Sequence, residues 1–196
     1  MLGRIAGKIV AWQIRKGILA QEETAVYQYA YELLLNQVIN IFLAGLIAVL
    51  FRAPAAVALF LLCYIPLRSF SGGYHADTNL GCTAVSALII SIVCCIYNMI
   101  NGGCLIWYPV IYIGSGYIIN RYAPVQDHNK PLDDLEMSRY RKRSHVIWAA
   151  EVILGCILYY LGIRLGVIVA ASHMVLSVML VIGIKKNQIK RRDSGR

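Results

Sequence analysis

Runs of 15 to 20 nearly uncharged apolar residues recur along the chain, separated by short polar or charged breaks. That is the length an α-helix needs to cross about 30 Å of hydrocarbon. The pattern predicts six membrane spans, at about 33–51, 53–67, 83–100, 104–119, 146–163 and 165–184. Spans two and four are short, and Pro54, Pro66 and Pro109 fall in or beside them, so one hairpin can be re-entrant or tilted. Residues 1–31 read differently. At about 100° per residue, Arg4, Lys8 and Arg15 share one side and Ile5, Ile9 and Trp12 another, which predicts an amphipathic helix lying at the membrane surface. The expected fold class is therefore all-α: one polytopic membrane helical bundle covering 1–196, with a surface segment at 1–31, the transmembrane bundle at 33–184 and a basic cytoplasmic tail at 185–196.

Composition sharpens this. Of the 196 residues 59% are hydrophobic and 15% charged, against roughly 45–50% and about 25% in a soluble domain, and the mean hydropathy is +0.61. A soluble globular protein is excluded. The N-terminal stretch has charges through its apolar part and no small-residue cleavage site, which argues against a signal peptide. The net charge of +9 does not imply nucleic acid as a partner, because in so apolar a chain Lys and Arg set topology and touch anionic lipid. Placing both termini in the cytoplasm leaves only Arg52 and Arg164 outside, so seventeen of the nineteen Lys and Arg obey the positive-inside rule. The outer turns are then tiny, and any chemistry sits on the inner face or within the bilayer.

Five of the six cysteines, Cys63, Cys94, Cys95, Cys104 and Cys156, lie in apolar spans, where a free thiol packs as a small hydrophobe. Cys82 differs. It closes the polar, glycine-rich segment RSFSGGYHADTNLGC, Arg68 to Cys82, which faces the reducing cytoplasm. It also falls in the first turn of the third span, with Asp77, Thr78 or Asn79 as N-cap, where the positive end of the helix dipole favours a thiolate. His75 stands seven residues earlier, and a Cys/His pair is the minimal apparatus of thiol acyl transfer. In one straight helix their Cα atoms would be about 10.5 Å apart, so the chain has to bend between them. Gly72, Gly73 and Gly81 supply bending positions, and Asp77 or Asn79 is placed to orient the imidazole. The plainer alternative is a polar inner turn in which His75 and Cys82 are incidental. One His and one Cys supply two ligands where zinc takes three or four, with His128 in the inner loop the one further candidate, so a zinc site is the weaker reading, and no cofactor motif is present.

Glu151 and His173 are costly residues inside spans. Glu151 lies about 8 Å in from the start of span five and His173 about 16 Å in from the inner end of span six, so a direct pair requires tilt or snorkelling; the alternative is that Ser, Thr or Tyr on neighbouring helices satisfies each. Asn36, Gln37 and Asn40 read as interhelical polar contacts. The inner loop 120–145 carries six Lys and Arg against four acids.

Arg68, Gly72–Gly73, His75 and Cys82, followed by YAPVQDHNKPL at 122–132, resemble the AgrB family of accessory-gene-regulator membrane peptidases. The resemblance implies that His75 and Cys82 are the catalytic pair and that Arg68 and Gly73 are needed for activity; Asp77 and Asn79 stay candidates by position alone. It implies a bacterial cell-membrane cysteine endopeptidase that cleaves a short precursor peptide near its C-terminus, holds the N-terminal part as a thioester on Cys82, and promotes ring closure to a thiolactone or lactone for quorum sensing. The implied partner is a precursor with an amphipathic N-terminal helix and an acidic C-terminal tail, and the implied assembly is a homodimer. Arg139, Arg141, Lys142 and Arg143 are placed to steer such a tail, or alternatively serve topology and lipid contact alone. A small transporter and a non-catalytic peptide-binding scaffold are the rival classes.

Overall fold

The structure is a computed structural model and describes residues 2–74, 76, 78–99, 107–125 and 133–194, with side chains up to residue 189. It contains seven α-helices in these residues: α1 (Leu2–Arg15), α2 (Thr24–Leu50), α3 (Pro54–Ser71), α4 (Asn79–Met99), α5 (Trp107–Tyr122), α6 (Asp134–Tyr160) and α7 (Gly166–Ser194), with a short 3-10 turn at Gln21–Glu23 before α2. Among the described residues there is no strand, so the all-α expectation holds.

Four stretches are long and apolar enough to cross a membrane: Gln21–Leu50, Pro54–Ser71, Asn79–Met99 and Gly166–Ile189. α5 has 16 residues, about 24 Å at 1.5 Å per residue, short of the hydrocarbon thickness. α6 has its charged run, Arg139 to Arg143, in its first half and Glu151 in its second. Side chains such as Phe42, Leu46 and Leu50 on α2 and Met99 on α4 point away from the bundle and are largely exposed. Apolar surface of this extent needs a lipid environment, and the chain is a membrane protein.

α7 is the central helix. It packs against α3, α4, α5 and α6, and Ile168, Val169, Leu176 and Leu180 on it are fully buried. Beside it, small residues set the close approach of α5 and α6: a Cβ on Gly155 would collide with the Tyr112 hydroxyl, and one on Gly116 would lie 2.6 Å from the Trp148 ring. α2 and α4 run parallel and in register. Thr83 Oγ1 donates to Asn36 Oδ1 at 3.4 Å, and Asn98 Nδ2 donates to the Phe51 carbonyl at 3.0 Å, with the same offset of 47 residues at both ends.

Two expectations are corrected here. The surface helix is confined to α1, and residues 24–31 belong to the long α2. α1 packs on α2 through its small residues, burying Ala6 and Val10 with Gly3 and Gly7 facing Glu32 and Gln28, and leaves Ile5 and Trp12 exposed. Of the cysteines read as packing residues, Cys63 and Cys94 are buried, but Cys95 and Cys156 are on the outside of the bundle; Cys104 lies outside the described residues.

Candidate active site

The segment after α3 is built as a strap. α3 stops at Ser71 because Gly72 follows at φ +74° and Gly73 at φ +131°, conformations that L side chains rarely adopt. Gly72 forms a parallel bridge with Val125, whose N–H donates to the Ser71 carbonyl at 2.9 Å, and a Cβ on Gly72 would run into the Val125 carbonyl. A Cβ on Gly73 would lie 3.1 Å from Arg68 Nη1 and 3.4 Å from the Met179 carbonyl. On the far side, Tyr74 N–H donates to that Met179 carbonyl at 2.9 Å. Gly183, one turn on in α7, has no room for a side chain, since its Cβ would be 2.8 Å from Gly73 C and Tyr74 N.

Arg68 fixes this strap from within α3. Its guanidinium donates through Nη2 to the Tyr74 carbonyl and through Nη1 to the Tyr64 hydroxyl at 3.3 Å. It also lies 5.7 Å from the centroid of the Tyr64 ring, which itself stacks on Phe60 at 5.1 Å. Lys186 from α7 approaches the Tyr74 ring at 5.0 Å. Arg68 is thus a positioning residue: two donors in a planar fork reach two partners at once, which a lysine cannot reproduce.

The chain re-enters a helix at Thr78. Its hydroxyl accepts from Gly81 N–H at 3.1 Å and its carbonyl from Cys82 N–H at 3.0 Å, so Thr78 is the N-cap and Cys82 the fourth residue of α4. Of the three N-cap candidates, Thr78 takes the position. Cys82 is half-buried and its thiol is free. It lines an open cavity of about 490 Å³ between α2, α3 and α4, with Met179 of α7 also on its wall, Arg68, Tyr74 and Ala76 at the same end and Phe60, Ile89 and Ile90 deeper in the bundle.

The structure therefore places Arg68 and Cys82 on one cavity, with Gly73 beside Arg68 in the strap next to it. His75 and Asp77, on either side of Ala76, lie outside the described residues, as does His128. Asn79 is exposed at the first position of α4. Arg139, Arg141, Lys142 and Arg143 are exposed along the first half of α6, at the same end of the bundle as Cys82. Two of them also have structural work: Arg141 Nε donates to the Ala123 carbonyl at 3.2 Å, and the Arg143 guanidinium lies 5.2 Å from the Phe70 ring centroid.

Glu151 and His173, expected at different depths, meet directly, His173 Nε2 lying 2.9 Å from Glu151 Oε2 with both residues buried. Depth measured from the apolar windows was misleading, because α6 begins at Asp134 and α7 runs on to Ser194. From the turn that joins α6 and α7 the two residues lie about 13.5 and 10.5 Å along their helices, nearly level.

Sequence reasoning missed Tyr64, Tyr74, Met179 and Gly183. Tyr64 had a signal, standing four residues before Arg68 on one helix face. The other three act through contacts between distant segments and carry none.

By fold and site, this is an all-helical membrane protein with a free thiol at a helix start, opening on a cavity between helices behind a glycine strap. The sequence profile of AgrB, accessory gene regulator B, matches residues 3–185, and the chain belongs to this family, whose role is in accessory gene regulator peptide processing. It is 29% identical over 152 residues to an AgrB-like protein of Clostridium perfringens (strain SM101 / Type A), covering 71% of this chain and 70% of that one. A second AgrB-like protein, from Halalkalibacterium halodurans, is 25% identical over 148 residues, covering 75% and 73%. No solved structure matches the chain.

Proposed function

We propose that the protein is a membrane-embedded cysteine endopeptidase and peptide cyclase with its active site on the cytoplasmic side, crossing the membrane six times with both termini inside. Cys82 attacks the scissile carbonyl of a short precursor peptide, and its proton passes to His75. The C–N bond then breaks, the leaving amine takes that proton, and the N-terminal part stays on Cys82 as a thioester. A thiol or hydroxyl of the same peptide attacks the thioester carbonyl, closing a thiolactone or lactone ring and releasing the Cys82 thiol. The C-terminal fragment leaves as a separate product.

The observation that carries this reading is the half-buried Cys82 thiol on the wall of the cavity, in a chain of the AgrB family. Arg68 and Gly73 act at one remove: they hold Tyr74, and with it the start of the segment that carries His75, against α7. The basic end of α6 gives an acidic precursor tail a surface of opposite charge.

The test is reconstitution of the pure protein in liposomes with a precursor peptide and mass spectrometry of the products. Release of the C-terminal fragment by the wild type and none by Cys82→Ala supports the proposal. Fragment release by Cys82→Ala overturns it; transport without cleavage makes the protein a transporter, and binding alone a scaffold.

A further inference from the structure

We infer that the cavity beside Cys82 is the acyl-side subsite, taking the side chain of the residue whose carbonyl Cys82 attacks, and that Asn40 on α2 hydrogen-bonds the peptide main chain there. This rests on the reading of Cys82 as the nucleophile. The cavity begins at the thiol and runs inward: Cys82 and Ile90 both line it, eight residues apart on α4, about 12 Å at 1.5 Å per residue. Its deeper walls are apolar, with Phe60 and Ile90 facing across it, and only the small Ser86 interrupts the α4 side. Its volume of about 490 Å³ lies in the range of sites that enclose small ligands, roughly 300–1,000 Å³. A carbonyl carbon bonded to Cys82 has its own side chain within reach of this space.

The polar requirement is met from α2. A peptide brought between membrane helices takes its main-chain N–H and C=O groups away from water, and each needs a partner. Asn40 lines the cavity, is 9% exposed, and its Oδ1 has no hydrogen-bond partner among the described residues. A buried amide oxygen left unpaired costs about 1–3 kcal/mol, and a substrate N–H removes that cost. Asn36, one turn closer to the membrane surface, differs because its oxygen already accepts from Thr83. Gln37, exposed and on the same wall, extends the amide surface toward the thiol.

The test needs no precursor. Full-length protein with the other five cysteines replaced by alanine is treated with acetyl-glycyl, acetyl-leucyl and acetyl-phenylalanyl chloromethyl ketones, and Cys82 labelling is followed by intact mass. In each case the C–S bond forms as chloride leaves. The leucyl and phenylalanyl probes are expected to react at least about tenfold faster than the glycyl probe. Ser86→Phe, which fills the cavity, removes that preference, with iodoacetamide labelling measured in parallel to read any change in access to the thiol itself. Asn40→Leu slows the acetyl-leucyl probe roughly fivefold or more and leaves its N-methylated counterpart, which lacks the N–H, unaffected. Equal rates for the three probes in the wild-type background, or an intact preference in a folded Ser86→Phe, overturn the assignment. If Ser86→Phe does not insert, the probe series and Asn40→Leu decide. Precursor cleavage that survives Cys82→Ala would remove the peptidase reading while leaving the probe preference measurable, so the two failures are distinct.

Discussion

In the α5–α7 half of the bundle, Glu151 and His173 close on each other at 2.9 Å, and the Tyr112 ring packs edge-on against the imidazole with centroids 5.4 Å apart. In the α2–α4 half, two amides, a thiol and several hydroxyls border an open cavity, with Arg68 at its end held by Tyr64 and Tyr74. Ionisable residues inside a membrane are functional candidates by default, and by that rule the first half would be the place to look for chemistry. The pairing points the other way. Glu151 and His173 meet each other and brace α6 against α7, although His173 Nδ1 and the Tyr112 hydroxyl beside them have no partner among the described residues, whereas the amides and the thiol of the other half face space that a ligand can fill.

Breaking each half separately gives effects of different size and kind. The largest is expected at the site: Cys82→Ala removes cleavage, and His75→Gln lowers its rate roughly 10²–10⁴-fold, the range for loss of a general base, measured as fragment release per inserted protein. Next is the brace. Glu151→Gln weakens the contact with His173 in a buried place and is expected to cost about 1–3 kcal/mol of stability, read as a lowered unfolding temperature in detergent. The double variant Glu151→Leu/His173→Leu recovers part of that loss, and the rate per folded molecule changes in neither. A fall in that rate with stability restored would move Glu151 and His173 into the chemistry.

The strap lies between these two extremes in kind. Gly73→Ala forces a side chain into φ +131° beside Arg68 and Met179, a strain of about 1–3 kcal/mol that falls on the strap. Activity is expected to drop while the unfolding temperature moves little. Arg68→Lys keeps the charge but not the two-partner fork and should follow Gly73→Ala, not wild type. The smallest effect is electrostatic. Since Arg141 and Arg143 hold Ala123 and Phe70, the clean test of tail steering is Arg139→Glu/Lys142→Glu. Precursor capture should weaken at low salt and converge with wild type as salt rises, because exposed charges are screened beyond about 8–10 Å.

Much of the site is legible in the amino-acid sequence alone. The glycine pair predicts a bend, and it supplies the two positive-φ residues of the strap; the polar residues ahead of Cys82 predict a helix start, and Thr78 caps it. Such features are local, carried by residues within a few positions of one another. What the sequence does not reveal depends on where helices end beyond their apolar windows and on which distant faces meet. The Glu151–His173 pair is hidden because α6 and α7 extend far past the hydrophobic stretches that mark them. The contact of α1 with α2 has no signal in the apolar periodicity because small residues, not large apolar ones, make it. Gly183 and Met179 take part in the strap with no periodic signal at all.

The central claim is that Cys82 carries the acyl group. Precursor added to the His75→Gln variant, which slows turnover, and quenched in acid should yield protein whose intact mass has risen by that of the N-terminal peptide fragment less one water. Peptide mapping should place the adduct on Cys82, and neutral hydroxylamine should remove it, as for a thioester. An adduct on another residue, or fragment release with Cys82 unmodified at every time point, would contradict the account.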